Sequence, residues 1–296
     1  MLQNYIIELD GRPARRFFEF AGGGAQADVA IEKQGAGKIS LKHIASIKYQ
    51  DMVLACGTGM SRDFYQWIAD TFAGSFARKN GAVVQLDGKH TPVGRLEFMS
   101  ALVTALVLPE LDASTKKAAV MTVSIRPEIT RSAAAEGSAK PGVYVSTLPR
   151  AWNISDFRLK IDGLENECRH VTHIDSLKLG QKIVLDAIGE SRDYVQEGTG
   201  VEYSDLVIRL PESFATGFYK WFDDFVVKGN STFEKRGTLE FFAPSSSKAY
   251  FGVEFSGLGI ESAKGPSGLR SKTSLPVTVS MYCESMKFYA GPSAII

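Results

Sequence analysis

Four short sequence patterns occur twice in this chain, in the same order and at a nearly constant separation. The pairs are Tyr5–Gly11 with Phe157–Gly163, Phe64–Trp67 with Phe218–Trp221, Val93–Phe98 with Phe251–Phe255, and Thr122–Ile125 with Thr278–Met281. An ordered set of matches of this kind indicates two copies of one unit of roughly 145 residues. Two copies are too few for a solenoid. The pattern therefore predicts a tandem duplication of the kind that serves a ring or another symmetric assembly.

A polar and flexible stretch separates the two copies. Arg131–Gly142 reads RSAAAEGSAKPG, which is rich in small residues, and Pro141 opposes helix formation. We therefore predict a first domain over residues 1–130, a linker over 131–143 and a second domain over 144–296. At this length each domain can bury a core of its own.

Each copy is predicted to contain many strands and one amphipathic helix. Strand-like segments open both copies, whereas apolar residues recur at helical spacing around the FYQW and FYKW patterns. The side chains expected to anchor these helices in the core are Phe64, Trp67, Ile68, Phe72, Phe214, Phe218, Trp221, Phe222 and Phe225. The predicted fold class is mostly β (α+β), with two tandem antiparallel β-barrel or sandwich domains that each carry one helix.

The copies differ most between their opening strands and their helices. The first copy has the polar segment Asp28–Lys38 there, and the second has the longer segment Lys182–Ser204. Polar, glycine-containing excursions between strands are usually protruding hairpins, so each copy is predicted to carry one.

The charge balance and the cysteine count exclude several functional classes. With 34 basic and 33 acidic residues, the net charge is +1, so the chain lacks the basic stripe that tight nucleic-acid binding needs. Three unpaired cysteines favour reduced thiols and synthesis in the cytoplasm. The strand-like N-terminus predicts no signal peptide, and the lack of a long apolar run predicts no membrane span.

The candidate chemical sites are weak. Cys168, His170 and His173 are the most metal-like cluster, but on a strand His173 would point away from the other two. Gly57–Gly59 precedes a helix without the spacing of a phosphate loop, and Asp223 and Asp224 read as the solvated side of a helix. We therefore expect no catalytic residue, no metal, no cofactor and no enzymatic activity.

Several segments of the first copy resemble contractile tail tube proteins, the family shared by myophage tubes and extracellular contractile injection systems. The segments are YIIELDGRPARRFFEFAGG, KISLKHI, FYQWIAD, RKNGAVVQLDGKHTPVGRLEF and PELDASTKKAAVMTVSI. They are similar to the family's opening strands, Trp-containing helix, hairpin and closing strand. The match covers most of the first copy and is looser in the second, where the hairpin loop and the approach to the last strand diverge.

The resemblance implies a structural role. Single-domain members form hexameric rings that stack into a hollow tube inside a sheath, so three chains of this length would form a pseudo-hexameric ring. The implied partners are further copies of the chain, sheath proteins, baseplate or spike proteins, and DNA or protein cargo that passes without tight binding. No membrane partner is implied, and the location would be a virion tail or an injection-system tube. By analogy, the polar hairpins would reach the adjacent ring through Glu32, Lys33, Lys38, Asp186, Glu190, Arg192 and Asp193.

Two other functional classes stay open from the sequence. A trimeric hub or tube adaptor at the baseplate would share the fold and bind itself on one face only. A two-domain β-barrel module that binds small ligands or glycans would instead be a monomer with a concave aromatic pocket. An enzyme is the weakest interpretation, because no catalytic constellation is recognisable.

Overall fold

The computed structural model of the chain describes residues 4–34, 39–134, 151–187, 194–230, 232, 234–242, 248–265 and 275–292. Residues 4–134 are called the first half below, and residues 151–292 the second half. The prediction of a mostly β, antiparallel fold is confirmed. The domain boundaries stay a prediction.

The first half contains most strands of a 10-stranded sheet. Its described elements are β1 (Asn4–Leu9), β2 (Arg12–Phe17), β3 (Glu19–Ala21), β4 (Ala25–Gln34), β5 (Ile39–Tyr49), β6 (Met52–Cys56), α1 (Arg62–Phe72), β7 (Lys79–Leu86), β8 (Pro92–Leu108), β9 (Leu111–Asp112), β10 (Ala118–Ala119), β11 (Met121–Arg126) and β12 (Ile129–Ala133). The strand order is β2-β1-β7-β8-β11-β6-β3, with β12 also paired to β8. Strands β4 and β5 pair with each other in a separate two-stranded sheet, called the first hairpin below.

The second half forms most of a 7-stranded sheet. Its described elements are β13 (Trp152–Asn153), β14 (Phe157–Ile161), α2 (Glu165–Cys168), β15 (His173–Ile174), β16 (Leu177–Ala187), β17 (Tyr194–Tyr203), β18 (Leu206–Pro211), a 3-10 turn (Glu212–Phe214), α3 (Thr216–Phe222), a π turn (Asp223–Val227), β19 (Lys235–Phe242), β20 (Ala249–Lys264) and β21 (Pro276–Ala290). The order is β14-β19-β20-β21-β18-β15-β9, so β9 of the first half closes one edge. Strands β16 and β17 form the second hairpin.

The two sheets repeat the same strand order. Strands β1, β7, β8, β11, β6 and β3 correspond, one by one, to β14, β19, β20, β21, β18 and β15. The register is also shared, because Leu9 lies opposite Gly81 in the first half and Ile161 lies opposite Gly237 in the second. The four repeated sequence patterns therefore occupy equivalent places in the two halves.

Helix α1 forms where the apolar spacing predicts it. Ser61 caps its N-terminus, since the Ser61 side chain accepts a hydrogen bond from the Phe64 N–H at 3.2 Å. Gly74, with φ +92°, follows the helix in the left-handed conformation that suits a C-terminal stop. The four expected anchors of this helix, Phe64, Trp67, Ile68 and Phe72, are all buried.

The second helical segment is less regular than the predicted stripe. Phe218, Trp221 and Phe225 are buried, and Phe222 is half-buried against the core. Phe214 differs from the prediction, because it lies in the 3-10 turn and is 40% exposed. Its ring stacks on His170 with the ring centroids 3.4 Å apart. The helical stripe starts after Phe214 because α3 itself begins at Thr216.

The expectation that Cys168, His170 and His173 lie on one strand is wrong. Cys168 ends the short helix α2, His170 lies in the turn that follows, and His173 begins β15. Within the described ranges, no group of three or more His, Cys, Asp or Glu side chains could hold a metal ion.

The start of the predicted linker is a strand. Residues 131–133 continue β12, in which Arg131 lies opposite Glu97 of β8. Residues 135–150 lie outside the described part of the chain. Buried side chains from both halves form one continuous apolar cluster, so the described parts of the two halves pack on each other.

Candidate assembly interface

The two hairpins carry the residues predicted to contact an adjacent ring. Glu32 is exposed on β4, Lys33 lies next to it on the same strand, and Asp186 is exposed on β16. The predicted contact residues Lys38, Glu190, Arg192 and Asp193 lie outside the described part of the chain. The structure thus places the three described residues on two separate hairpins, and their role in stacking stays a prediction.

The first hairpin also exposes apolar side chains that the sequence analysis missed. Val29, Ile31 and Ile44 are 56%, 58% and 50% exposed. Val29 lies opposite Ile44, and Ile31 follows Val29 on the same face of β4, so these three side chains share one face. The alternation of apolar residues in Asp28–Glu32 was the signal that could have revealed this face.

The second hairpin adds a strand to the sheet of the first half. Strand β16 pairs antiparallel with the last part of β8, from Leu177 opposite Leu108 to Gly180 opposite Ala105. Leu177 and Leu179 are almost completely buried there. Backbone pairing and apolar burial therefore both hold the second half against the first.

A buried glutamine locks this contact. The Gln196 Nε2 on β17 donates hydrogen bonds to the Ser100 carbonyl at 2.8 Å and the Arg126 carbonyl at 2.6 Å. The Gln196 backbone N–H donates to the Glu128 Oε1 at 3.0 Å, and the Arg78 guanidinium donates to the Gln196 carbonyl. One residue of the second half thus satisfies polar groups at several points of the first.

Helix α1 contributes the other part of the contact between the halves. It packs on β21 of the second half, where the Tyr65 and Phe288 rings stack with centroids 6.0 Å apart. The Tyr203 hydroxyl of β17 donates to the Phe72 carbonyl at 3.3 Å. Burial raises the pKa of the Tyr65 phenol, which keeps this side chain neutral inside the contact.

The two hairpins also meet each other through a small polar network. The Tyr194 hydroxyl on β17 donates to the Ser46 Oγ at 3.1 Å, and the Ser46 Oγ donates to the Asp28 Oδ2 at 3.0 Å. The Lys48 ammonium lies 2.6 Å from the same Asp28 oxygen. Hydrogen bonds from Lys48 and Ser46 hold the pKa of Asp28 below its usual value, so Asp28 stays charged to a lower pH than an ordinary aspartate.

No helix among the described residues is both long and apolar enough to cross a membrane. The Gln196 amide nitrogen and the Tyr194, Ser46 and Asp28 side chains are hydrogen-bonded, as polar groups inside a contact usually are. The Gln196 Oε1 is buried and has no hydrogen-bond partner among the described residues. The arrangement holds two β units side by side and exposes the first hairpin.

Comparison with known protein families gives a match over the first half. A family described as T4-like virus tail tube protein gp19 matches residues 3–129. The resemblance to tail tube proteins drawn from the sequence is confirmed for this part of the chain. No curated protein matches the chain.

Solved structures of contractile injection systems resemble part of the chain. A chain from the 6-fold symmetrised anti-feeding prophage baseplate shares 17% identity, with a TM-score of 0.38, and the match covers 46% of this chain and 94% of that chain. A chain from the sheath–tube complex of an extracellular contractile injection system (PVC) in the extended state shares 16% identity, with a TM-score of 0.38 and coverage of 44% and 88%. A chain from the anti-feeding prophage tube-terminating cap shares 16% identity, with a TM-score of 0.37 and coverage of 44% and 87%.

Proposed function

Because residues 3–129 match the T4-like virus tail tube family, we propose that this chain is a structural tube protein of a contractile tail or injection system. Three chains form a pseudo-hexameric ring, and stacked rings form a hollow conduit for DNA or protein. The observation that carries the proposal is the repetition of the tube-type half: the second half repeats the strand order of the first.

The repeated strand order supports a ring with six similar positions. Each chain supplies two units of the same topology, so three chains supply six. Units that add strands to one another's sheets leave fewer exposed sheet edges, and β16 on β8 is one such addition. A closed ring of such units would surround a channel.

A structural role in a tube also implies the partners and the location of the chain. The chain acts without catalysis, and its partners are further copies of itself, sheath proteins and baseplate or spike proteins. It resides in a virion tail or an injection-system tube. A net charge of +1 suits a wall along which DNA or protein slides without tight binding.

Stacking of one ring on the next is assigned to the hairpins. Glu32 and Asp186 are exposed on the first and second hairpin. Charged side chains at a contact fix register and specificity more than affinity, which is what a stack of identical rings requires. Lys33 on the first hairpin belongs to the same proposed contact. Lys38, Glu190, Arg192 and Asp193, which lie outside the described residues, are proposed to belong to it as well.

The proposal is tested by negative-stain electron microscopy of the purified protein together with its mass in solution. We expect rings with a central hole and a roughly sixfold outline, each with the mass of three chains, and stacking into tubes at high concentration. Monomers at every concentration would overturn the proposal. Counting copies in an intact particle separates a tube from a hub: hundreds of copies are expected, whereas three copies would identify a baseplate hub of the same fold.

A further inference from the structure

We propose that the second half of one chain binds the first half of a second copy in the same way as the two halves bind each other within the chain. This inference rests on the proposed ring and specifies its interface between subunits. Some surfaces are covered where the two halves meet, whereas the equivalent surfaces elsewhere in the chain are exposed. The proposal follows from this difference.

The two hairpins are equivalent to each other. Both contain one β-bulge at the same point. Its flanking pairs are Asp28 opposite Ser46 and Val29 opposite Ile44 in the first hairpin, and Lys182 opposite Gly200 and Ile183 opposite Gly198 in the second. Because bulges are specific features of a strand pair, the shared bulge fixes the correspondence residue by residue. Ala25 and Gln26 of β4 correspond to Leu179 and Gly180 of β16.

Strands β8 and β20 are also equivalent, and β8 is the strand to which the second hairpin is added. Strand β8 pairs with β11 across a bulge after Val103, and β20 pairs with β21 across a bulge after Ile260. Leu106 of β8 therefore corresponds to Ala263 of β20. The other edge of β8 carries β16. On β20, no described strand pairs with residues 259–264 along the corresponding edge.

The helix faces of α1 and α3 differ in how far they are covered. In α1, Tyr65 and Ile68 are 1% and 0% exposed, and Tyr65 packs on the second half through Phe288. Their counterparts in the repeated pattern, Tyr219 and Phe222 of α3, are only half-buried. The exposed apolar surface continues into the π turn, where Val226 and Val227 are 45% and 70% exposed. The face that is covered in the first half is therefore partly uncovered in the second.

The first hairpin of a second copy is the surface that would cover β20 and α3. The first hairpin, which corresponds to the docked second hairpin, pairs only with itself among the described strands. It exposes Val29, whose counterpart Ile183 is half-buried in the docked second hairpin. Since the hairpin and the β20–α3 surface differ, the contact is heterologous and joins chains head to tail. A head-to-tail contact closes into a ring when its rotation allows it.

The internal contact also predicts the register between chains. Within the chain, Leu179 lies opposite Leu106, Gly180 opposite Ala105 and Lys178 opposite Val107. The corresponding residues place Ala25 opposite Ala263 of the next chain, Gln26 opposite Ser262 and Gly24 opposite Lys264. Directly opposed residues on antiparallel strands have Cβ atoms about 4.5–5.5 Å apart, which is within reach of a short thiol cross-linker.

Cross-linking of mixed single-cysteine chains tests the register. One preparation carries Gln26→Cys and the other Ser262→Cys, both with Cys283→Ser, because Cys283 is half-buried whereas Cys56 and Cys168 are buried. After mixing and treatment with a short bis-maleimide, we expect a covalent dimer that contains one chain of each kind. The double variant Gln26→Cys with Ser262→Cys should lose most of its monomer band to covalent dimers and trimers.

Two matched controls accompany this experiment. The pair Lys178→Cys with Val107→Cys lies directly opposed within one chain, so it should react within that chain and give no covalent dimer. Replacing Ser262→Cys by Glu254→Cys keeps the thiol on β20 but moves it to a part already paired on both edges, and it should give no dimer.

The outcomes separate this inference from the proposed function. Rings in the microscope without a Gln26–Ser262 cross-link, or equal cross-linking to Glu254→Cys, would overturn the interface and leave the ring standing. Cross-linked chains without rings would support the interface and overturn the ring. Monomers without cross-links would overturn both.

Discussion

Gly81 and Gly237 show at the residue scale why a glycine is required at one point of both sheets. Each lies where a Cβ atom would collide with a backbone carbonyl oxygen of the neighbouring strand, that of Glu8 for Gly81 and that of Lys160 for Gly237. We expect Gly81→Ala to lower the free energy of unfolding by about 1–3 kcal/mol, because backbone must shift to make room. Urea denaturation measures the change. Gly88→Ala is the control, since a Cβ there meets nothing within 4 Å, and equal losses in both variants would contradict the explanation.

Tyr282 gives a pH-dependent prediction at the same scale. Its hydroxyl donates to the Glu234 Oε1 at 2.6 Å, and this hydrogen bond, with burial and nearby carboxylates, raises the pKa of Tyr282 to about 12. A raised folded-state pKa means that the stabilisation is complete below the unfolded tyrosine pKa of about 10 and is lost as the pH rises through about 12. Ultraviolet difference titration of wild type against Tyr282→Phe reads this ionisation directly. Glu234→Gln should move it to lower pH, and an unchanged titration would show that Glu234 is not the cause.

The second hairpin is the element whose docking depends most on one side chain. Gln196 is 1% exposed and donates to two carbonyls of the first half, so Gln196→Ala would leave both half-buried acceptors without these bonds. We expect a loss of about 1–3 kcal/mol in the free energy of unfolding. Hydrogen exchange should show faster exchange along β16 and β17 than in wild type. The adjacent exposed Glu197→Ala should change neither measurement, and a Gln196→Ala protein with wild-type exchange would contradict this role.

The sequence predicts helices well where the residues that form and cap them are close together in the chain. Helix α1 appears at the Phe64–Trp67–Ile68–Phe72 spacing, with Ser61 at its cap and Gly74 after its end. Phe214 was assigned to the second helix by the same spacing, yet α3 begins two residues later. The periodicity of apolar residues therefore locates a helix better than it locates the helix end, where the cap decides.

At the scale of the whole molecule, the described halves share one apolar cluster and exchange strands. We therefore expect a single cooperative unfolding transition, because separating the halves would expose Leu106, Leu177 and Tyr65 to water. Tryptophan fluorescence can test this with two variants: one retains only Trp67 in the first half, and the other retains only Trp221 in the second. Within each variant, the tryptophan signal and the far-ultraviolet circular dichroism should give the same urea midpoint. A variant whose two signals change at different midpoints would show that each half unfolds on its own.

Local sequence patterns were enough to predict the mostly β character, the helices around Phe64–Trp67 and Phe218–Trp221, and the first half's resemblance to tail tube proteins. These properties are written in local periodicity, turn residues and ordered repeats, which need no knowledge of distant contacts. The pairing of β16 with β8, the packing of α1 on β21 and the exposure of the apolar side chains of the first hairpin became known from the folded chain alone. An apolar strand can pair with many others. The choice among them depends on register and burial between segments far apart in the chain, which leave no local pattern in the sequence.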